Sequence, residues 1–246
     1  MKEIKKFIEI EQKGETILKL NPDYKEYMED KKYRIRLKNS GIPKNYWDIE
    51  FDDYIGENSR NSLDKAIIYS ERCLEEKFHN VNLFLTSSTN GTQKSMVACN
   101  IGKEFIKNNL TVKFVYASEL IDILLKSQGY GSNKQISYNG EMIEPEYILN
   151  NLYSVDLLII DDIFDKKKST YWKSSPELAI TSWDKFLRKR ISEDKRMVLT
   201  SNFNMDSIEV DFGTSLYNLL HRNFVELNFY DSVVEKRIKR FDNLWD

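Results

Sequence analysis

Three short groups of residues in this chain could do chemistry together. The first is Ser88-Thr89-Asn90-Gly91-Thr92-Gln93-Lys94-Ser95, which follows the apolar run Val81-Asn82-Leu83-Phe84-Leu85 and precedes a helical pattern over 96–108. A strand, a turn ending in Lys-Ser and a helix is the context in which backbone N–H groups wrap phosphate oxygens. Lys94 would reach the β- and γ-phosphates of a nucleotide, and the Ser95 hydroxyl would hold Mg²⁺. Asn90, Gly91, Thr92, Gln93 and Met96 would complete the binding stretch. The pattern G-x-x-x-x-G-K-[ST] wants glycine at 88 and 93, where this chain has Ser88 and Gln93. Such loops use unusual backbone angles, so Gln93 implies strain or a weakened site. Taken alone, the stretch also fits an ordinary strand–turn–helix.

The second group is Asp161-Asp162, at the end of the apolar run Val155-Asp156-Leu157-Leu158-Ile159-Ile160. Beside a bound phosphate, Asp161 would serve the Mg²⁺ shell and Asp162 would polarise an attacking water. The plain alternative is an acidic turn. The third is Thr200-Ser201-Asn202, the polar tip of Arg196-Met197-Val198-Leu199. Asn202 could stand beside the γ-phosphate, though a cap or turn has the same composition. All three groups fall at the carboxyl ends of apolar runs, in the chain order of a nucleotide hydrolase, and the conjunction favours binding of a nucleotide.

The elements that must position these groups alternate between strand and helix. A helix is expected over 59–78, with Leu63, Ala66, Ile67, Ser70, Leu74 and Phe78 on one stripe. Strands are expected over 81–86, 111–117, 155–160, 196–202 and 224–230. Ser118 reads as the cap of a helix reaching 126. Residues 127–146 are polar, contain Gly129, Gly131 and Gly140, and read as a long surface loop. Further helices are expected over 146–153, 175–191, 215–222 and 231–241. This alternation predicts a three-layer α/β fold with a mainly parallel sheet and ligands at the carboxyl ends of its strands.

Residues 1–40 are charged and sparsely apolar. They read as a short helical N-terminal arm, packed on the main domain or docking a partner, while 41–246 form the main domain. The 246 residues are 41% hydrophobic and 31% charged, with a net charge of −2, so any nucleic-acid surface must be local. One local candidate is Lys166, Lys167, Lys168, Tyr171, Trp172 and Lys173, which pairs charge with stacking faces and suits single-stranded DNA, or a solvated loop. Two cysteines, Cys73 and Cys99, with His79 and His221, do not suggest a structural zinc site, and buried free thiols are expected. No run reaches the about 18 apolar residues of a membrane span, and no apolar signal core opens the chain, so a cytoplasmic protein with no membrane partner is expected. Arg188 and Arg190 could face a neighbouring subunit or solvent.

Several stretches resemble one family. Gly41-Ile42-Pro43-Lys44-Asn45-Tyr46-Trp47 with Phe51-Asp52-Asp53-Tyr54 is similar to the linker before the ATPase domain of DnaC/DnaI-type replicative helicase loaders. Tyr116-Ala117-Ser118-Glu119-Leu120, Val155 to Ile163 and Leu199-Thr200-Ser201-Asn202-Phe203 resemble that family in the same order. The resemblance covers residues 41–230. It implies an AAA+ P-loop NTPase core that binds ATP·Mg²⁺ and a hexameric replicative helicase and helps place that ring on single-stranded DNA. It makes Lys94 and Ser95 Walker A, Asp161 and Asp162 Walker B, and Asn202 the γ-phosphate sensor, and it sets Phe51 and Tyr54 near the adenine, although core packing is the plainer reading of both rings. In the family's arginine-finger stretch, which acts across subunits, only Arg222 could serve here. Insertion-sequence transposition helpers of the IstB-like kind share most of these motifs, and a non-hydrolysing adaptor on the same fold is a further alternative. With two loop glycines missing, a weak ATPase is expected.

Overall fold

A computed structural model of the chain describes residues 5–12, 15–130, 135–138, 140–165 and 175–230. The basic stretch from Lys166 to Lys173 and the helix expected over 231–241 lie outside the described residues.

Five strands make one parallel sheet: β3 (Asn82–Thr86), β4 (Val112–Tyr116), β7 (Leu157–Asp161), β8 (Arg196–Ser201) and β9 (Phe224–Asn228), in the order β4-β7-β8-β3-β9. The central strands are apolar between their polar ends because both faces are covered. Side chains alternate between those faces. Leu83, Leu85, Leu157, Ile159 and Val198 enter one core, under α1 (Pro22–Ser40), α2 (Arg60–Glu71) and α3 (Lys94–Lys107). Phe84, Leu158, Ile160, Met197 and Leu199 enter the other. That second core lies under α4 (Ala117–Ser127), α5 (Pro145–Ser154), α6 (Pro176–Ser192), α7 (Met205–Phe212) and α8 (Thr214–Asn223). Gly102 lets α3 lie close on the sheet, since a Cβ there would stand 2.7 Å from Ile159 Cδ1 and 3.1 Å from Ile42 Cδ1.

Strand order decides which loops meet. β3 is hydrogen-bonded to β8, and β8 to β7. At about 4.8 Å between strands, three consecutive strand ends fall within roughly 10 Å. The segments after Thr86, Asp161 and Ser201 are therefore neighbours, although they lie far apart in sequence.

The structure departs from the sequence expectations at several points. Residues 7–20 are not part of a helical arm. They form an antiparallel hairpin, β1 (Phe7–Gln12) with β2 (Glu15–Leu20), in the register Phe7↔Leu20 to Gln12↔Glu15. Alternation in Phe-Ile-Glu-Ile-Glu-Gln, weak as it is, suits a pleated strand better than a helix face. The helical part of the arm is α1, which begins where the Asn21 side chain accepts the Asp23 N–H at 3.1 Å. The helix expected to reach 78 stops at Glu71. Phe78 returns through a 3-10 turn to meet the Tyr69 ring edge-on at 6.0 Å, so the stripe beyond Ser70 was not helical. Within 127–146 the chain forms a small hairpin, β5 (Ile136–Tyr138) with β6 (Glu141–Ile143). Ser118 lies inside α4, whose cap position is Tyr116. α7 was not expected at all; the Asn204 side chain caps it by accepting the Ser207 N–H at 3.0 Å. Arg190 faces neither solvent nor a neighbour but is wholly buried.

Among the described residues, no helix is long and apolar enough to cross a membrane. Cys73 and Cys99 are free and buried, and burial pushes both thiols upward.

Candidate nucleotide site

The carboxyl ends of β3, β7 and β8 bring the three groups together. A cleft of about 330 Å³ there is lined by Asn90, Gly91, Thr92, Gln93, Lys94, Ser95, Met96, Asp162, Asp165, Asn202 and Tyr46. Every residue of the 90–96 stretch named from sequence reaches it. The turn needs two left-handed residues, Gly91 at φ 76° and Gln93 at φ 63°. Glycine takes that conformation freely, whereas a glutamine there is strained by roughly 1–2 kcal/mol. Gln93 also stands at the N-cap of α3, so the first amides of that helix open onto the turn.

Lys94 is the centre of the arrangement. Its Nζ donates to Thr92 Oγ1 at 3.0 Å and to Asn202 Oδ1 at 3.0 Å. The loop after β3 is thus tied to the tip of β8. The side chain is 5% exposed. Burial pushes the ammonium down to about 8, and the nearby Asp162 and Asp161 carboxylates oppose that shift. A buried ammonium that donates to two neutral side-chain oxygens can exchange them for phosphate oxygens.

The two aspartates are held differently. Asp161 is buried, and its Oδ1 accepts the Thr200 hydroxyl at 2.7 Å. The Thr200 hydroxyl in turn accepts the Asp162 N–H at 2.9 Å, and the Ile163 N–H donates to Thr200 O at 2.8 Å. The chain turns sharply there, with Asp162 at φ 57° and Phe164 at φ 72°. Asp161 therefore points into the sheet end while Asp162 lines the cleft. The Ser201 hydroxyl closes the turn by donating to Ile163 O at 3.0 Å. Sequence reading treated Thr200 and Ser201 as a polar tip; their hydroxyls lock β7 to β8.

Ser95 is half-buried on the first turn of α3 and lines the same cleft. Among the described residues, no cluster of three or more His, Cys, Asp and Glu side chains could hold a metal by itself. One hydroxyl and one or two carboxylates, completed by phosphate oxygens and water, are nonetheless the donor set Mg²⁺ commonly takes with nucleotides. The residues fit that group.

The aromatic pair named for the adenine lies elsewhere or deeper. Tyr54 is 1% exposed, within the α1–α3 core, with its ring 5.9 Å from Phe229. Phe51 packs half-buried on the same core. Neither lines the cleft. Tyr46 does, together with Asp165; sequence reading placed Tyr46 only within the linker motif and passed over Asp165. Arg222 is at the opposite edge of the sheet, beside the start of β9, in a separate cavity with Asn80, Asn82, Asp194, Lys195 and Arg196. Within one chain it is not part of the cleft.

The segment 44–55 runs beside the site as a strap fixed from α3 at two points. Lys103, wholly buried, donates to Ile49 O and pairs with Glu50 at 3.3 Å. Gln93 holds the other end: its Oε1 accepts the Ile55 N–H at 3.0 Å and its Nε2 donates to Asp53 O at 3.4 Å. Neither anchor was legible as such, because Lys103, beside Glu104 and Lys107, reads as an ordinary solvated helix position and Gln93 reads as a defect.

No family model matches the chain. It is 32% identical over 138 residues to the replicative helicase loader DnaC of Buchnera aphidicola subsp. Baizongia pistaciae, an alignment that covers 56% of this chain and 51% of that protein. The chain thus spans about half the length of the curated relatives it matches. Among solved structures it is similar to a DnaC helicase loader, at a TM-score of 0.56 and 13% identity over 76% of this chain and 99% of that one. It is also similar to AMPPCP-bound DnaA from Aquifex aeolicus, at a TM-score of 0.57 and 16% identity over 82% of this chain and 57% of that one. These likenesses show the fold, which is that of AAA+ P-loop proteins. The chain resembles replicative helicase loaders in sequence and AAA+ replication proteins in structure.

Proposed function

We propose that the chain is an ATP-binding helicase loader, which binds a hexameric replicative helicase and assists its placement on single-stranded DNA during replication. The observation that carries ATP binding is the bond from Lys94 to Asn202, which joins the phosphate loop to the sensor position beside the Asp161–Thr200 lock. Lys94 takes the β- and γ-phosphates. Ser95 and Asp162 line the cleft where Mg²⁺ would be held, with Asp161 bonded to Thr200 behind them, and the ion would supply charge neutralisation on those phosphates. Asp162, at the cleft surface, orients water toward the terminal phosphate, and Asn202 reads that phosphate. The sequence similarity to loaders supports the helicase as partner. The arm of residues 1–40 is the candidate docking element: Phe7, Leu18 and Leu20 are exposed on the hairpin, and among the described residues none of the hairpin belongs to either core. The stretch from Lys166 to Lys173 follows the cleft residue Asp165 in sequence and is the candidate single-strand contact. Arg222, remote from its own cleft, acts only across a junction between copies.

The test is co-elution with a hexameric replicative helicase in ATP and Mg²⁺. Absence of a complex with any candidate ring, in the presence of bound ATP, overturns the loader reading. The strained Gln93 and the distant Arg222 favour a second reading, an adaptor that binds ATP without turning it over. Turnover well above background, abolished by Asp162→Asn, excludes the adaptor.

A further inference from the structure

The segment that carries Asn202 hangs between two fixings. At its start the Ser201 hydroxyl accepts the Phe203 N–H at 3.1 Å and donates to Ile163 O at 3.0 Å. At its end the Met205 N–H donates to Glu226 Oε1 at 3.1 Å. Glu226 belongs to β9, which is separated from β8 by β3. The same carboxylate oxygen accepts the Thr86 hydroxyl at 2.8 Å. Thr86 is wholly buried and ends β3, so the phosphate loop departs from it. One oxygen thus joins the base of the loop that carries Lys94 to the segment that carries Asn202. Those two side chains meet in the cleft at 3.0 Å. The position is an unusual one for a carboxylate. Phe224, two residues earlier on the same face of β9, is buried in the core under α4–α8. Half-burying a charge on such a face is costly unless it is hydrogen-bonded, and the bonds it makes here run to the two cleft elements. Glu226 is not among the residues that line the cleft, so it acts there through Asn202 and Lys94.

We propose that Glu226 is a positioning residue for recognition of the terminal phosphate: by holding Met205 and Thr86 on one oxygen it sets Asn202 against Lys94, and that setting distinguishes a nucleoside triphosphate from a diphosphate. The inference rests on the ATP-binding reading above, with Asn202 as the group that meets the terminal phosphate. It gives β9, which supplies no residue to the cleft, a part in nucleotide selectivity.

The experiment compares ATP with ADP, both with Mg²⁺, by titration calorimetry on the whole chain and its variants. Glu226→Ala strips the acceptor from the Met205 N–H, while the Thr86 hydroxyl keeps Asn228 Oδ1 at 2.6 Å. It is expected to weaken ATP about tenfold and ADP less than about twofold. Glu226→Gln has the same reach without the charge and is expected to restore ATP affinity to within about twofold of the unaltered chain. Glu226→Asp keeps the charge but is one methylene short, and should behave as Glu226→Ala does. Equal losses for ATP and ADP overturn the proposal, because a merely structural residue would act on both alike. A loss in Glu226→Gln as large as in Glu226→Ala also overturns it, since charge and not the clasp would then be the cause. If the unaltered chain binds ATP and ADP equally, ATP binding stands and the proposal falls. If it binds neither, the ATP-binding reading has failed and the proposal falls with it. Should Glu226→Ala not fold, Glu226→Asp and Glu226→Gln decide, and equal ATP-to-ADP ratios in the two overturn the proposal.

Discussion

Two buried cations occupy opposite edges of the same sheet and are held in opposite ways. At the amino edge, Arg190 of α6 donates to the carbonyls of Leu152, Tyr153, Val155 and Arg196, the last at 2.7 Å. At the carboxyl edge, Lys94 donates to the side-chain oxygens of Thr92 and Asn202. Burial depresses both groups, to about 10 for the guanidinium and about 8 for the ammonium. Carbonyls fixed in the backbone cannot leave, so Arg190 is a rivet between α5, α6 and β8. Side-chain oxygens can rotate away, so Lys94 is free to change partners, as the proposed phosphate binding requires. Burial alone does not separate a structural charge from a functional one; the kind of partner does.

The largest effect that could break this contrast is on stability. Arg190→Ala removes the rivet and leaves several carbonyls without donors, which is expected to cost at least about 3 kcal/mol of unfolding free energy. Whatever protein remains folded should bind ATP normally. A stability loss near zero in chemical denaturation, or a selective loss of ATP binding, breaks the contrast. Next comes Lys94→Ala, expected to lower ATP affinity at least about 100-fold while shifting stability by less than about 1 kcal/mol. Calorimetry and a thermal melt read the two separately. Thr200→Val is intermediate: it deletes the hydroxyl between Asp161 and the Asp162 N–H, and about 1–2 kcal/mol of stability should go with it. Its ATP affinity should fall only in the presence of Mg²⁺.

The smallest effect is a pH dependence. Because the folded ammonium titrates near 8, below the ordinary lysine value, its burial cost is fully present below that pH. The cost is relieved as pH rises from about 8 toward 10.5, where the unfolded chain still holds the proton. Apo stability therefore gains a rising contribution over that window, and Lys94→Met should lack it. Bound phosphates hold the proton on, so ATP affinity should fall over the same window by up to tenfold per pH unit. A flat affinity between pH 7.5 and 9.5 would place the proton elsewhere.

The sheet and the turn that opens α3 were legible because their signals are local. Buried parallel strands are unbroken apolar runs, and Lys94, Ser95, Asp161, Asp162 and Asn202 stand at their ends. Lys94, Ser95, Asp162 and Asn202 line one cleft, whereas Asp161 is turned onto Thr200. What was illegible depends on distant partners. Arg190, in a run of lysines and arginines late in a helix, reads as solvated; its carbonyl partners come from 35 to 38 residues upstream and from Arg196. Gln93 reads as a flaw until Asp53 and Ile55 are seen beside it. Tyr54 reads as a core ring before a stacking one, and only the fold shows that Phe229 is what it packs on. The hairpin of residues 7–20 escaped because apolar residues exposed on both of its faces blur the alternation that marks a strand.

The central claim is that the Lys94 cleft binds ATP with Mg²⁺. Titration calorimetry of the purified chain with ATP, with and without Mg²⁺, tests it directly against Lys94→Ala at matched fold. The account predicts saturable, Mg²⁺-dependent binding to the unaltered chain and its loss in Lys94→Ala. Equal binding by both proteins, or none by either at millimolar ATP, would contradict it.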